Sequence, residues 1–480
     1  HGVRQFHAGS SCIANGYMIG TQPPTPGKIP ESERFHPYDW SEVPYYRTNL
    51  FRKSSCPVAV YKEASYFRDY VLPGLKRSMV GNSALITNWE PDAYFGYGCA
   101  CTNCMFEFAS YCKLELADVA KDWPRCVMPG GRFADRRNRF RSWQHGLVVK
   151  TLHRYVCKFS GEENSEGFIP EIIWGALSTG LWDNPMQAEI DVYEYVGSLK
   201  WINPWGPYCW WDAEAPYFYE KRLPIAPFMA ARDIRGNLDR RFPKERRPKL
   251  LAFPHGAQRR QCIAAPEWIG MTLDSFFFNG WEASRIYFFP RGYDARYWRA
   301  FADATSRAGR CERYVSEGRR TDDLTTFEPV TAYAANCKQV TAFLPSSTNM
   351  SPLQVVSYDH AGGRVVAVFN FWERGAAFGR LSMKGLDSGR YTVVSGGRTL
   401  WSKSADDDSW TADELAQGIL VGIGAARTVD FEIRPEAEES GRNARDEMTQ
   451  ASVKAAYKSL RDSLSREAER DRAAERAHGE

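Results

Sequence analysis

The sequence predicts an α/β protein: a parallel (β/α)8-type barrel, then an antiparallel β-sandwich, then a charged helical tail. Three patterns carry this prediction. From Cys56 to about Val315, short apolar runs alternate with amphipathic stretches, as repeated βα units of a parallel sheet require. Between Val355 and Pro435 the helical pattern gives way to short alternating runs separated by turn signals. After Pro435 the chain is charged throughout, with Val453, Tyr457, Leu460 and Leu464 forming one narrow apolar helical stripe. The implied divisions are a loop-rich segment over 1–55, the barrel over 56–345, the sandwich over 346–435 and the tail over 436–480.

Taken in order, the first 50 residues are rich in Gly, Pro, Ser and Tyr with weak periodicity, so little regular structure is assigned to them. Barrel strands are predicted over 58–61, 84–88, 167–174, 199–204, 249–254 and 285–290. The intervening helices are predicted over 66–79, 103–120, 139–159, 189–196, 226–241, 266–279 and 294–308. Pro266 suits the first turn of its helix and Gly280 the stop. That is fewer strands than a closed barrel needs. Either the opening segment hides poorly patterned strands, or another segment supplies the start of the barrel; a chain that opens on His1 instead of Met reads as processed, trimmed or internal. Sandwich strands are predicted over 353–358, 364–370, 378–383, 389–395, 419–423 and 428–433, with turns at Gly362-Gly363, 387–389 and Gly396-Gly397.

Composition narrows the function classes. At 480 residues the chain exceeds one ordinary domain, and 43% hydrophobic with 25% charged residues is globular. No apolar run approaches the roughly 18 residues of a membrane span. Charge is nearly balanced at +4, and beyond the short Arg-rich run 136–141 no basic stripe carries exposed aromatics, which argues against nucleic acid as a partner. The 16 Trp and 24 Tyr are more telling, because flat faces with polar tips suit sugar rings. A phosphate-binding glycine loop, a dinucleotide fingerprint and a nucleophile elbow are all absent, so no organic cofactor is expected.

The sharpest motif is Asn88-Trp89-Glu90-Pro91, directly after an apolar strand, because barrel active sites form at the C-terminal ends of strands. Glycosidic cleavage needs a carboxylic acid to protonate the departing oxygen. Trp89, Tyr94, Phe95 and Tyr97 would desolvate Glu90 and raise its pKa toward that task. The competing role for Glu90 is capping the next helix. Nine residues on begins Cys99-Ala100-Cys101-Thr102-Asn103-Cys104, with Cys112 one or two helical turns further. Three thiolates so close can converge on one structural zinc ion, with Cys112 or Cys56 as the fourth ligand; a local disulfide or free buried thiols is the alternative.

A strand ending in Asn-Xaa-Glu-Pro, followed by a CxC-xx-C loop, resembles the clan of β/α-barrel glycoside hydrolases that contains the family 42 β-galactosidases. The resemblance implies a general acid/base at Glu90, zinc at Cys99, Cys101 and Cys104, and a trailing β-sandwich of the kind those enzymes carry. It covers a short motif and the order of domains. The clan also places a nucleophilic Glu after its seventh strand, where Leu250-Leu251-Ala252-Phe253-Pro254-His255-Gly256 holds no carboxylate. Candidates for the second carboxylate at other strand ends are Asp212, Glu214 and Asp294, while Glu171 and Glu282 read as core or barrel-bottom salt bridges. Trp174, Trp205, Trp210, Trp211, His255, Arg291 and Tyr293 all follow predicted strands, where Trp can stack on a sugar and His or Arg can bond its hydroxyls.

The expectation is a glycosidase acting on an oligo- or polysaccharide, with a carbohydrate as its partner. A homo-oligomer or a missing N-terminal barrel segment completes the set of partners. The rival from another class is a noncatalytic glycan-binding or scaffold protein on a degenerate barrel.

Overall fold

A computed structural model describes residues 6–9, 29–39, 41, 54–87, 98–173, 191–205, 225–252, 254, 265–284, 294–329, 351–372, 375–404, 407–436, 466 and 469. The chain divides into two compact units, His1–Gly206 with Gly236–Leu251, and Pro207–Arg235 with Ala252–Glu480.

The first unit is built on parallel strands: β1 (Phe6–Gly9), β2 (Ala84–Thr87), β3 (Gly167–Ile169), β4 (Glu171–Ile173), β5 (Trp201–Trp205) and β6 (Lys249–Ala252). Pairing follows chain order: Phe6 lies opposite Ala84, Ala84 opposite Gly167, Glu171 opposite Asn203 and Trp201 opposite Lys249. Pro170 separates β3 from β4 because it has no N–H to give a ladder. Its carbonyl still accepts the Asn203 N–H at 3.0 Å, so the run 167–173 pairs first with β2 and then with β5. Ala84, Leu85, Phe168, Ile202 and Leu250 are buried, as continuous apolar runs of a covered parallel sheet should be. The described strands of this unit occupy five positions, and β1 comes from the opening segment to which the sequence assigned little structure.

Helices fill the connections: α1 (Pro57–Tyr61), α2 (Leu72–Ser78), α3 (Thr102–Cys112), α4 (Leu116–Ala120), α5 (Ala134–Ser160), α6 (Tyr193–Val196) and α7 (Ile225–Arg241). Two expectations need correction. The strand predicted over 58–61 is α1: Pro57 presets the first turn after an extended Cys56, and so short an apolar run cannot declare its period. The helix predicted over 103–120 is two helices, because Lys113 adopts the left-handed conformation that ends α3. The strand predicted over 285–290 lies outside the described residues.

The second unit contains α8 (Pro266–Phe278), the two-residue strand β7 (Ala283–Ser284) and α9 (Ala295–Glu317), which runs nine residues beyond the predicted end. Then come β8 (Arg319–Arg320), β9 (Thr325–Pro329), β10 (Leu353–His360), β11 (Gly363–Asn370), β12 (Ala377–Met383), β13 (Arg390–Ser395), β14 (Thr399–Leu400), β15 (Ser409–Thr411), α10 (Ala412–Gln417), β16 (Ile419–Ile423) and β17 (Arg427–Pro435). One antiparallel sheet runs β14-β13-β17-β11-β10-β8, with β15 beside β13, and a second runs β16-β12-β9. Ala361 and Gly362, both at positive φ, make the two-residue turn between β10 and β11.

Strand β11 is buried along its whole length because both its faces are covered. Val365, Ala367 and Phe369 pack with Phe228, Met271, Phe278 and Cys311 of the helices. Val366 and Val368 alternate to the other side and pack with Leu381, Met383, Val421, Ile423 and Phe431 of both sheets, which makes this region the predicted sandwich. Among the described residues no helix is long and apolar enough to cross a membrane. Of the tail, only Arg466 and Glu469 are described, both helical.

Candidate metal centre

Local backbone rules bring four cysteines together. Cys56 is extended and precedes Pro57 at the start of α1. Cys101 is the N-cap of α3, and Cys104 sits in the first turn of that helix. The strip 33–37 ties the pieces together: Phe35 N–H donates to the Ser54 carbonyl and Cys56 N–H to the Glu33 carbonyl, each at 2.8 Å. On its other edge Pro37 bridges Cys99, and Ala100 N–H donates to the His36 carbonyl at 2.5 Å. Gly98 is required just before Cys99, because its φ is +64° and a Cβ there would lie 2.3 Å from the Tyr38 ring.

The sulfurs of Cys56, Cys99, Cys101 and Cys104 all lie within 4.8 Å of one another, and all four residues are buried. Cys56 Sγ is 3.3 Å from Cys101 Sγ and 3.4 Å from Cys104 Sγ. A disulfide would need about 2.05 Å. Tetrahedral zinc with bonds of about 2.3 Å puts its four sulfurs about 3.8 Å apart, so this donor set fits such an ion. Of the two candidates for the fourth ligand, the structure brings in Cys56. Cys112 is the last residue of α3, half-buried and two turns from Cys104, and it is not in the cluster.

Electrostatics follow from burial. Cys99 and Cys104 are pushed well above the ordinary thiol range by loss of solvent. Cys101 is pulled down instead, because Cys104, Cys56 and Cys99 all hydrogen-bond its sulfur. Outside the cluster, the His36 backbone N–H donates to Cys99 Sγ at 3.5 Å, and Gln144 Nε2 donates to Cys104 Sγ at 3.6 Å. Arg141, Gln144 and His145 of α5 share a small cavity with Pro57, Gly98 and Cys99. Burial, reinforced by the charge of Arg141, holds His145 down at about 3, so its ring is neutral at physiological pH. Sequence reasoning passed over Arg141 and Gln144. The signal was available: polar residues at 141, 144 and 145 fall on the face of α5 that also carries Val148, Val149 and Leu152.

The predicted active-site residues have a different status. Trp89 and Glu90, and likewise Trp174, Trp210, Trp211, Asp212, Glu214, His255, Arg291 and Tyr293, lie outside the described residues. Trp205 ends β5, and the side chains of Trp205 and Glu171 are outside the described set. Glu282 pairs with Arg235 at 3.4 Å, the salt bridge expected of it.

Asp294 alone among the candidate carboxylates lies within the described residues, where it caps α9. Half-exposed at the N-cap of α9, it accepts the Arg296 N–H at 2.9 Å, and its other oxygen takes the Arg296 guanidinium at 2.6 Å. These bonds hold its carboxyl below the usual range, which keeps it ionised. Asp294→Asn should slightly lower the melting temperature through loss of the Arg296 ion pair; a collapse of turnover with the fold intact would identify Asp294 as the second carboxylate, and an unchanged rate would exclude it.

No family model matches the chain, and no curated protein matches it. Solved structures that resemble it are glycoside hydrolases. An α-amylase from Geobacillus thermoleovorans is 9% identical over 86% of this chain and 73% of its own, with a TM-score of 0.40. A GH51 α-L-arabinofuranosidase from Thermotoga petrophila is 10% identical over 61% and 62%, at 0.30. A family 30 xylanase from Clostridium acetobutylicum is 10% identical over 78% and 86%, at 0.28. With every TM-score at 0.40 or below, these likenesses establish neither a shared fold nor a shared activity.

Proposed function

We propose that the chain is a barrel-type glycoside hydrolase with Glu90 as general acid/base, braced by a structural zinc ion on Cys56, Cys99, Cys101 and Cys104. One positional regularity carries the reading. Glu90 follows the C-terminal end of β2 by three residues, Trp174 follows β4 by one, and Trp210 to Asp212 and His255 follow the ends of β5 and β6. Parallel strands place such ends on one edge of a sheet, where barrel enzymes keep their chemistry.

In this mechanism Glu90 in its neutral form protonates the glycosidic oxygen as the bond to the anomeric carbon breaks. The aromatic residues around it in sequence exclude water and favour the protonated carboxyl. Asp212 or Glu214 supplies the second carboxylate, about 5–5.5 Å away for retention or about 6.5–9.5 Å for inversion. Trp residues after the strand ends stack on sugar faces and fix the ring against Glu90. A zinc ion on Cys56, Cys99, Cys101 and Cys104 would supply a cross-link between these segments rather than reactivity. It would thereby hold Cys99, nine residues after Glu90 in the chain.

The test is hydrolysis of a panel of aryl glycosides and oligosaccharides by the wild-type chain and by Glu90→Gln. A fall of about 10²–10⁴-fold in kcat/KM with an unchanged circular dichroism spectrum is expected. Full activity in the variant would remove Glu90 from the mechanism. A wild-type chain that binds oligosaccharides but cleaves none would establish the glycan-binding alternative.

A further inference from the structure

We propose that Gln144 and Arg141 form the outer shell of the metal centre, Gln144 orienting the Cys104 sulfur and Arg141 offsetting the charge of the loaded site. This rests on the metal reading above and adds to it two residues outside the ligand set.

Four thiolates around a divalent cation carry a net double negative charge, and here all four sulfurs are buried, Cys56 and Cys104 completely. Such charge is costly in a low-dielectric interior unless hydrogen bonds and an opposite charge meet it. Two hydrogen bonds are in place, from His36 N–H to Cys99 and from Gln144 Nε2 to Cys104. The first is fixed by the backbone, while the second depends on one buried side chain, 4% exposed. Arg141 precedes Gln144 by three residues, hence one turn along the same face of α5, and is itself only 3% exposed. It borders the cavity on which Cys99 opens, and its field reaches the Tyr38 hydroxyl together with those of Cys99 and Cys104. A guanidinium keeps its charge at any accessible pH, whereas the neighbouring His145 is neutral. Groups around a ligand set of this kind orient the ligands and tune their basicity, and losing one costs about 10–100-fold in metal affinity.

The experiment uses the full chain as purified. Metal content is measured by inductively coupled plasma mass spectrometry, and zinc release to a chromogenic chelator is followed in wild type, Arg141→Met, Arg141→Lys and Gln144→Leu. Zinc should leave Arg141→Met and Gln144→Leu about 10–100-fold more readily, with Arg141→Lys restoring most of the retention. Cobalt substitution supplies a readout that a merely structural role would not move. Losing the nearby positive charge or N–H donor raises the energy of the sulfur electrons, so the thiolate-to-cobalt absorption should shift to longer wavelength in both variants and stay put in Arg141→Lys. Variants with wild-type release rates and an unshifted cobalt spectrum would overturn the proposal alone. A wild-type chain that takes up neither zinc nor cobalt would overturn the metal centre and this proposal with it.

Discussion

Replacing Cys56 with Ser should abolish zinc binding at the proposed centre, whereas replacing Cys112 should not. The two residues are equally admissible by sequence, but only Cys56 lies with Cys99, Cys101 and Cys104 within 4.8 Å. Three thiolates and a serine hydroxyl make a poor site for a borderline-soft ion. Because structural zinc sites exist only in the folded chain, the lost binding energy is lost folding energy, on the order of 10 kcal/mol in small zinc domains and expected here at several kcal/mol. The effect should centre on the strip 33–37, α1 and the start of α3, which meet at the cluster. Metal content should drop from about one zinc per chain to near zero, with a large fall in melting temperature. The wild-type protein should also release its metal as pH falls, because protons compete for the thiolates. Wild-type zinc content in Cys56→Ser would refute the assignment.

Removing Arg307 should strongly destabilise the second unit. Arg307 of α9 grips Asp274 of α8 with two parallel hydrogen bonds of 2.9 and 3.1 Å, and its third nitrogen lies 3.7 Å from Asp430 of β17. Arg310 completes the network with contacts of 3.1 and 3.2 Å to Asp430. Both carboxylates are at most 3% exposed. Arg307→Met would leave Asp274 buried with no cation, at a cost of about 3–5 kcal/mol at neutral pH. The pH dependence has a definite sign. Burial pushes the Asp274 carboxyl above its usual range even with Arg307 beside it. Without Arg307 it rises further, so the folded variant binds its proton more tightly than the unfolded chain does. The stability tied to that proton is fully present below the ordinary carboxylate pKa and is lost as pH rises through the raised one. Urea titrations at about pH 4.5 and 7.5 should therefore show a deficit that widens with pH; a constant deficit would mean that packing, not charge, was lost.

What could be read from the sequence depended on how far apart the cooperating residues lie in the chain. The six sandwich strands and the helices over 226–241 and 266–279 were legible because period and turn residues are local properties. The triad Cys99, Cys101 and Cys104 was legible for the same reason, since three ligands fit in six residues. The choice between Cys56 and Cys112 as the fourth was not, because 43 positions separate Cys56 from Cys99 and the strip 33–37, paired on one edge with 54–56 and on the other with 99–100, closes that distance. The strand expected over 58–61 failed because four apolar residues satisfy a strand and a buried helix alike. For Asp294 the sequence supplied only a position after a predicted strand, and the structure adds that it caps α9 through the Arg296 N–H. The sequence by itself determined the α/β order, the sandwich and the thiol-rich loop after β2. Tertiary structure alone decided which thiols meet and which polar residues of α5 border them, because proximity between distant parts of the chain comes from packing, which no local pattern encodes.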